Sequence, residues 1–220
     1  MGPGLMAQGQ KRGVEEAMKI GIINNSLGNV GSVYSAFEFY KYDVKLVNDP
    51  GELDQCDVIV MAGVGNFNTG VTKLKQLHFW DKLNEVAMVK KKPLLGICLG
   101  MQMFADVSYE GGENKGFGWI KGKVVRIEGS SVKVPHIGWD EVTPLDDRLF
   151  KGIRYNAFYF MHSYQFIPED RSTVKAVIRY GDIEIVAAVG KDNIIGVQFH
   201  PEKSQGDGLR LLRNFLEMAA

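Results

Sequence analysis

The chain has 220 residues, 45% of them hydrophobic and 24% charged, with 26 basic residues against 26 acidic ones. That is long enough for one sizeable core and short for two, and a balanced charge without basic runs interleaved with aromatics argues against a nucleic-acid partner. Two cysteines, Cys56 and Cys98, cannot make a disulfide framework, no Cys-x-x-Cys motif offers zinc ligands, and no apolar run is long enough for a membrane span. The expectation is a cytoplasmic protein with no metal, no cofactor and no membrane attachment.

Residues 1–17 are rich in glycine, glutamine and charge and have no apolar centre, so they read as a disordered extension or added tail before Met18, not as a secretory signal. Lys19–Ile23 is a short β-branched strand, followed by the polar loop Asn24–Asn29. Val30, Val33, Tyr34 and Phe37 have helical spacing within Val30–Tyr40. Strands are expected at Val44–Val47 and Asp57–Met61, the second opening into the glycine-rich loop Ala62–Gly65. A helical stretch covers Val71–Val89, Pro93–Ile97 is a fourth strand, and a further helix begins at Leu99. Fully apolar strands alternating with helices imply a parallel sheet covered on both faces.

The second half changes character. Strands are expected at Lys123–Ile127, Ala157–Met161, Val174–Arg179, Ile183–Val189 and Ile194–Phe199, with hairpin-like spacing. They are expected to join the same sheet as mixed or antiparallel strands, and an amphipathic helix at Gly208–Met218 closes the chain. No repeat or linker divides it, so 18–220 reads as a single α/β domain.

Gly96-Ile97-Cys98-Leu99-Gly100 has the form Gly-x-nucleophile-x-Gly at a strand-to-helix junction, as a nucleophile elbow requires. The glycines let the chain turn sharply and present the thiol. The following helix would favour the thiolate, and Leu99 N–H could donate to an oxyanion. A free cysteine is more often a small buried core residue, and Cys56, without such flanks, keeps that reading. A thiol nucleophile needs a base. His78 falls inside the expected helix and His136 follows a proline in a strand-like segment, whereas His162 and His200 end strands. His200 has the stronger case, because Pro201 holds it extended and Glu202, two positions on, would lie on the same side and fix the imidazole tautomer. A polar turn with no chemistry remains an alternative for His-Pro-Glu. Gly63-Val64-Gly65 reads either as a backbone oxyanion donor or as a plain turn; it does not complete a dinucleotide fingerprint, since Asn68 stands where glycine is needed.

Gly96–Gln102 together with Phe199–Glu202 resembles the class I glutamine amidotransferase family. The resemblance implies a flavodoxin-like α/β fold and a triad of Cys98, His200 and Glu202 that hydrolyses glutamine to glutamate and ammonia. Within the family, the chain is similar across 18–220 to the glutaminase subunits of imidazole glycerol phosphate synthases. The segments that carry this are Gly28–Val30 with Ser32-Val33, Gly63–Gly65, Val134–Trp139, Tyr159–Tyr164 and Gln198–Ser204. By position the resemblance implies an oxyanion hole of Val64 and Leu99 N–H, and glutamine-binding roles for Gly63, Gly65, Gln102, Ser163 and Tyr164. It implies further that Asn29, Trp139 and Lys203 face a (β/α)8-barrel cyclase subunit that takes up the ammonia for histidine biosynthesis.

Three positions depart from the family pattern. Ala62 stands in place of proline, Asp140 in place of asparagine after Gly138-Trp139, and Asn24-Asn25-Ser26 in place of Asp-Tyr-Gly. The last two are expected where the cyclase docks. They leave open a duplicated enzyme pair supplying ammonia to surface-sugar amidination, and a catalytically silent regulatory subunit that keeps the fold is a third possibility.

Overall fold

In the computed structural model, residues 18–25 and 27–220 are described; the expected tail, 1–17, and Ser26 lie outside them. The first half runs β1 (Lys19–Ile23), α1 (Val30–Glu38), β2 (Asp43–Val47), β3 (Val58–Gly63), α2 (Phe67–Gln76), α3 (Phe79–Asn84), β4 (Leu94–Cys98) and α4 (Leu99–Gln102). Then follow β5 (Val107–Ser108), β6 (Asn114–Lys115), β7 (Gly122–Arg126), β8 (His136–Glu141), β9 (Thr143–Pro144), β10 (Ala157–His162) and β11 (Tyr164–Pro168). The chain ends with β12 (Val174–Tyr180), β13 (Ile183–Lys191), β14 (Ile194–Val197) and α5 (Gln205–Ala219).

The principal sheet has the order β2-β1-β3-β4-β14-β13-β12-β9. β2, β1, β3, β4 and β14 run parallel, and β13, β12 and β9 continue the sheet antiparallel. β3 and β4 are buried along their whole length because both faces are covered, which is why their sequences are continuously apolar. Side chains alternate between two cores. Ile20, Ile22, Val58, Val60, Leu95 and Ile97 pack under α1 and α5, while Ile59, Met61 and Leu94 face α2 and α3.

Two expectations about the architecture are corrected. The antiparallel strands do not all join one sheet: β11-β7-β5-β6 form a four-stranded sheet and β10-β8 a separate pair. Their patterns are half-buried, as in β10 and β7, so each needs only one covered face and can pack as an extra layer. The helix expected over Val71–Val89 is broken at Leu77–His78, where His78 adopts φ 60°, and its last turn, Glu85–Val89, is a π-turn. The break re-aims the chain so that Phe79 and Leu83 reach the core already occupied by Leu74. No helix of the described residues is long and apolar enough to cross a membrane.

Candidate active site

The parallel register brings the distant motifs together. Ile97 of β4 pairs with Val197 of β14, so Cys98 and His200 leave the carboxyl ends of adjacent parallel strands. On the other side Gly63 of β3 pairs with Cys98, which sets Val64 and Gly65 beside the thiol. Ligand sites of open α/β sheets form at such strand ends.

The elbow is strained as its sequence form predicts. Cys98 sits at φ 54°, ψ −108°, a conformation that L-residues rarely adopt. A Cβ on Gly96 would lie 2.4 Å from the Phe104 ring, and one on Gly100 would lie 1.9 Å from Met61 O. Both glycines are there for close approach. The helix that follows is the single turn of α4, so the macrodipole expected behind the thiol reduces to the free N–H groups of that turn. Cys98 Sγ instead receives a hydrogen bond from Gln198 Nε2 at 3.5 Å and reaches Met161 O at 4.0 Å.

His200 is fully buried, and its Nδ1 lies 2.8 Å from Glu202 Oε1. The two groups meet across the 3-10 turn Pro201–Lys203, not by extended alternation. His200 N–H to Tyr159 O (2.8 Å) and Ser204 Oγ to His200 O (2.6 Å) fix that turn. Burial pulls the imidazole pKa down, but Cys98 and Glu202 outweigh it and hold it at about 9. His200 Nε2 makes no hydrogen bond among the described residues. It is the nitrogen open to proton exchange with the thiol, since Nδ1 is taken by Glu202.

Asn29 was expected to face a partner. Its Nδ2 donates to Glu202 Oε1 and lies 3.3 Å from His200 Nδ1, so the side chain is committed to the buried pair. Trp139 (48% exposed) and Lys203 do lie at the surface, joined by Tyr159: the Trp139 and Tyr159 rings are 6.1 Å apart, and Lys203 Nζ stands 5.8 Å above the Tyr159 ring.

Beside the thiol lies a cavity of about 250 Å³, at the small end for ligand sites. Val64, Gly65, Leu99, Gln102, Ser163 and Tyr164 all line it, as does Cys98. Gly63 does not; it is one residue back in β3, against Leu27 and Leu99. Gln102 Nε2 is occupied by Tyr164 O (3.0 Å) and Gln198 Oε1 (2.9 Å), so only its carbonyl oxygen can serve a ligand. Val64 N–H, expected in the oxyanion hole, donates to Leu27 O at 3.2 Å and is committed elsewhere in this conformation. Leu99 N–H, at the first position of α4, has no intrahelical acceptor.

Several site residues were not visible from the motifs. Glu110, in the loop after β5, puts the cavity's one carboxylate in its wall, where Phe67 N–H of α2 donates to it at 2.7 Å. No local pattern marks it. Gln198 could have been found, because it stands two positions before His200 at the end of β14. His162, set aside as a base, lines the cavity and is held by His136 and Tyr164 O. Among the described residues no group of His, Cys, Asp and Glu could hold a metal ion.

Two of the three departures from the family pattern have internal partners. Asp140 Oδ2 lies 2.8 Å from His136 Nε2. Asn25 is buried, donates to Ala62 O at 3.0 Å and accepts from Leu27 N–H at 3.1 Å.

Comparison with known proteins agrees with this geometry. The model of the family "Glutamine amidotransferase class-I" matches residues 20–219. The imidazole glycerol phosphate synthase subunit HisH of Pelagibacter ubique is 41% identical over 209 residues, covering 91% of this chain and 100% of that protein. Subunit HisH 1 of Campylobacter jejuni is 43% identical over 202 residues, covering 90% and 100%. Among solved structures, a glutamine amidotransferase superposes with a TM-score of 0.70 at 20% identity, covering 91% of this chain and 98% of that one, a likeness of fold. The chain belongs to the class I glutamine amidotransferase family.

Proposed function

We propose that the protein is the glutaminase subunit of an imidazole glycerol phosphate synthase, working in the cytoplasm, where Cys56 and Cys98 stay unbridged. The observation that carries the chemistry is that the strained Cys98 elbow and the carboxylate of Glu110 line one cavity, while the buried His200–Glu202 pair, outside that lining, is coupled to the Cys98 thiol. Glutamine fits that arrangement. Its α-ammonium would pair with Glu110, and its carboxamide carbon would lie at Sγ. Attack by the Cys98 thiolate forms a C–S bond, and collapse of the tetrahedral intermediate breaks the C–N bond while His200 Nε2–H protonates the leaving ammonia. Water, deprotonated by the now neutral His200, then hydrolyses the γ-glutamyl thioester to glutamate and frees the thiol. Glu202 orients the imidazole and holds its charge, and Asn29 holds the Glu202 carboxylate in place. Leu99 N–H supplies one oxyanion donor. Val64 N–H becomes a second only if its bond to Leu27 O is exchanged.

The acceptor is read from the relatives' names and from the surface. Trp139, Tyr159 and Lys203 form an exposed aromatic and cationic cluster beside the buried triad, suited to a (β/α)8-barrel cyclase subunit that takes ammonia before it is protonated. The internal partners of Asp140 and Asn25 weaken the sequence argument for a different acceptor pathway, because Asn25 is buried and the part-exposed Asp140 is held by His136. The test is Cys98→Ala in the reconstituted pair. Glutamine-dependent synthesis should disappear while synthesis from added ammonium persists, and Glu202→Gln should lose less than Cys98→Ala. Glutamine turnover by the alanine variant would refute the nucleophile, and failure to capture a cyclase subunit would refute the partner.

A further inference from the structure

His136 and His162 are left unused by the triad, yet both are buried, at 2% and 7% exposure, and they face each other across the β8–β10 pair. Their contacts form one continuous line. Asp140 Oδ2 lies 2.8 Å from His136 Nε2, His136 Nδ1 lies 3.0 Å from His162 Nε2, and His162 Nδ1 lies 2.9 Å from Tyr164 O. The line requires a distorted strand, since residues four apart in an extended strand are about 13 Å apart. Gly138 lies between His136 and Asp140 at φ 147°, outside the ordinary strand region.

The protons on this line follow from donor and acceptor rules. A backbone carbonyl only accepts, so His162 Nδ1 must carry a hydrogen. Burial together with the neighbouring His136 and His200 holds the His162 pKa down to about 3, so it is neutral. Its Nε2 therefore accepts, and His136 Nδ1–H donates. Burial pulls the His136 pKa below the ordinary histidine value, and Asp140 only partly restores it. With Nδ1–H committed to His162 and Nε2 facing a carboxylate oxygen at 2.8 Å, however, the hydrogen-bond geometry requires a proton between His136 and Asp140.

We propose that Asp140, His136 and His162 are positioning residues: a strut that holds one proton at the His136–Asp140 end, keeps His162 neutral as the Nδ1–H tautomer, and fixes the Met161–Tyr164 wall of the glutamine cavity. The strut ends on Tyr164 O, the carbonyl that also takes Gln102 Nε2. The same wall carries Met161 O, 4.0 Å from Cys98 Sγ. Holding the extra proton at the far end leaves His200 as the only imidazolium next to the thiol, where a second cation would oppose it. The groups facing the two rings are Asp140 on β8, Tyr180 on β12 at 4.1 Å between ring centres, Phe160 on β10, and His200 beyond His162. Tyr180 does not compete for the proton, because its hydroxyl donates to Lys133 O. The positioning role rests on the reading of the cavity as a glutamine site; the protonation pattern does not.

Nitrogen-15 correlation spectra of the histidine side chains, recorded on the full chain near neutral pH, test the pattern. His136 should show both ring nitrogens protonated, and His162 a neutral ring with hydrogen on Nδ1. In Asp140→Asn the amide can donate to an unprotonated Nε2, so His136 should become neutral while His162 stays unchanged. The positioning role is tested by titrating glutamine into Cys98→Ala protein by calorimetry. Adding His136→Leu should weaken glutamine binding about ten-fold, the effect of one unpaired buried acceptor. A neutral His136 in the unmodified chain, or an Nε2–H tautomer of His162, overturns the strut, and this reading stands even if His136→Leu does not fold. Undiminished glutamine binding by a folded His136→Leu variant overturns the positioning role. If Cys98→Ala protein with an intact strut binds no glutamine at all, the glutamine reading of the cavity fails, and the spectra still decide the protons.

Discussion

Gln198 Nε2 donates to Cys98 Sγ at 3.5 Å while Gln198 Oε1 accepts from Gln102 Nε2 at 2.9 Å. The orientation of both amides is forced, because the chain of bonds ends on Tyr164 O, which can only accept. Gln198 therefore presents a fixed N–H to the sulfur. Gln198→Leu should slow alkylation of Cys98 at neutral pH and lower kcat/KM for glutamine roughly ten-fold or more, as for loss of a hydrogen bond to a charged group. Unchanged alkylation kinetics in a folded variant would show that the sulfur does not use this donor.

Asn29 is the second support. Its amide donates to Glu202 Oε1, and the carboxylate's other oxygen, Oε2, has no partner among the described residues. Asn29→Ala should reduce kcat with little change in KM. Asn29→Asp should reduce it further, because two carboxylates in contact cannot both stay ionised and a proton shared with Glu202 weakens the oxygen that accepts from His200 Nδ1–H. Steady-state kinetics of the two variants give the ranking; an aspartate variant as active as the parent would contradict it.

The pH dependence follows from His200. Its folded pKa of about 9 lies above the ordinary 6.5 of histidine. Its contribution to stability is therefore complete below about pH 6.5 and is lost as pH rises through about 9. Activity should fall over the same upper limit, since ammonia then departs without an imidazolium to protonate it. Proton NMR titration of His200 should give a midpoint well above that of a free histidine, and Glu202→Gln should lower it. A midpoint near 6.5 in the unmodified chain would contradict the coupling.

Two glycines separate steric from conformational demand. In Gly100→Ala the new Cβ would lie 1.9 Å from Met61 O, so the elbow must shift and the fold should lose about 3 kcal/mol in urea denaturation. In Gly65→Ala the Cβ meets nothing within 4 Å, but φ 107° is costly for any L-residue. That variant should lose only about 1–2 kcal/mol of stability while its kcat on glutamine falls, because the segment bearing Val64 loses the glycine's freedom to turn. Wild-type kcat in Gly65→Ala would mean that this backbone does not take part.

The sequence by itself determined the parallel α/β half of the protein and singled out Cys98, His200 and Glu202 as the proposed triad. Apolar strands and helices repeat in a pattern that both faces of a covered sheet enforce, and Gly-x-Cys-x-Gly and His-Pro-Glu carry their chemistry within a few residues. It did not determine how the second half divides into sheets, since half-buried strands of similar pattern can join either layer. Nor did it reveal what surrounds the thiol. Glu110, Gln198, Asn29, His136 and His162 act through contacts between segments up to 173 positions apart, as Asn29 and Glu202 are. Only tertiary structure decides such contacts, because the pairing of β3, β4 and β14 fixes which strand ends share a cavity. The Val64 amide makes the same point from the other side. Its place beside Cys98 follows from strand register, but the acceptor it chooses, Leu27 O, depends on a loop whose path no local pattern records.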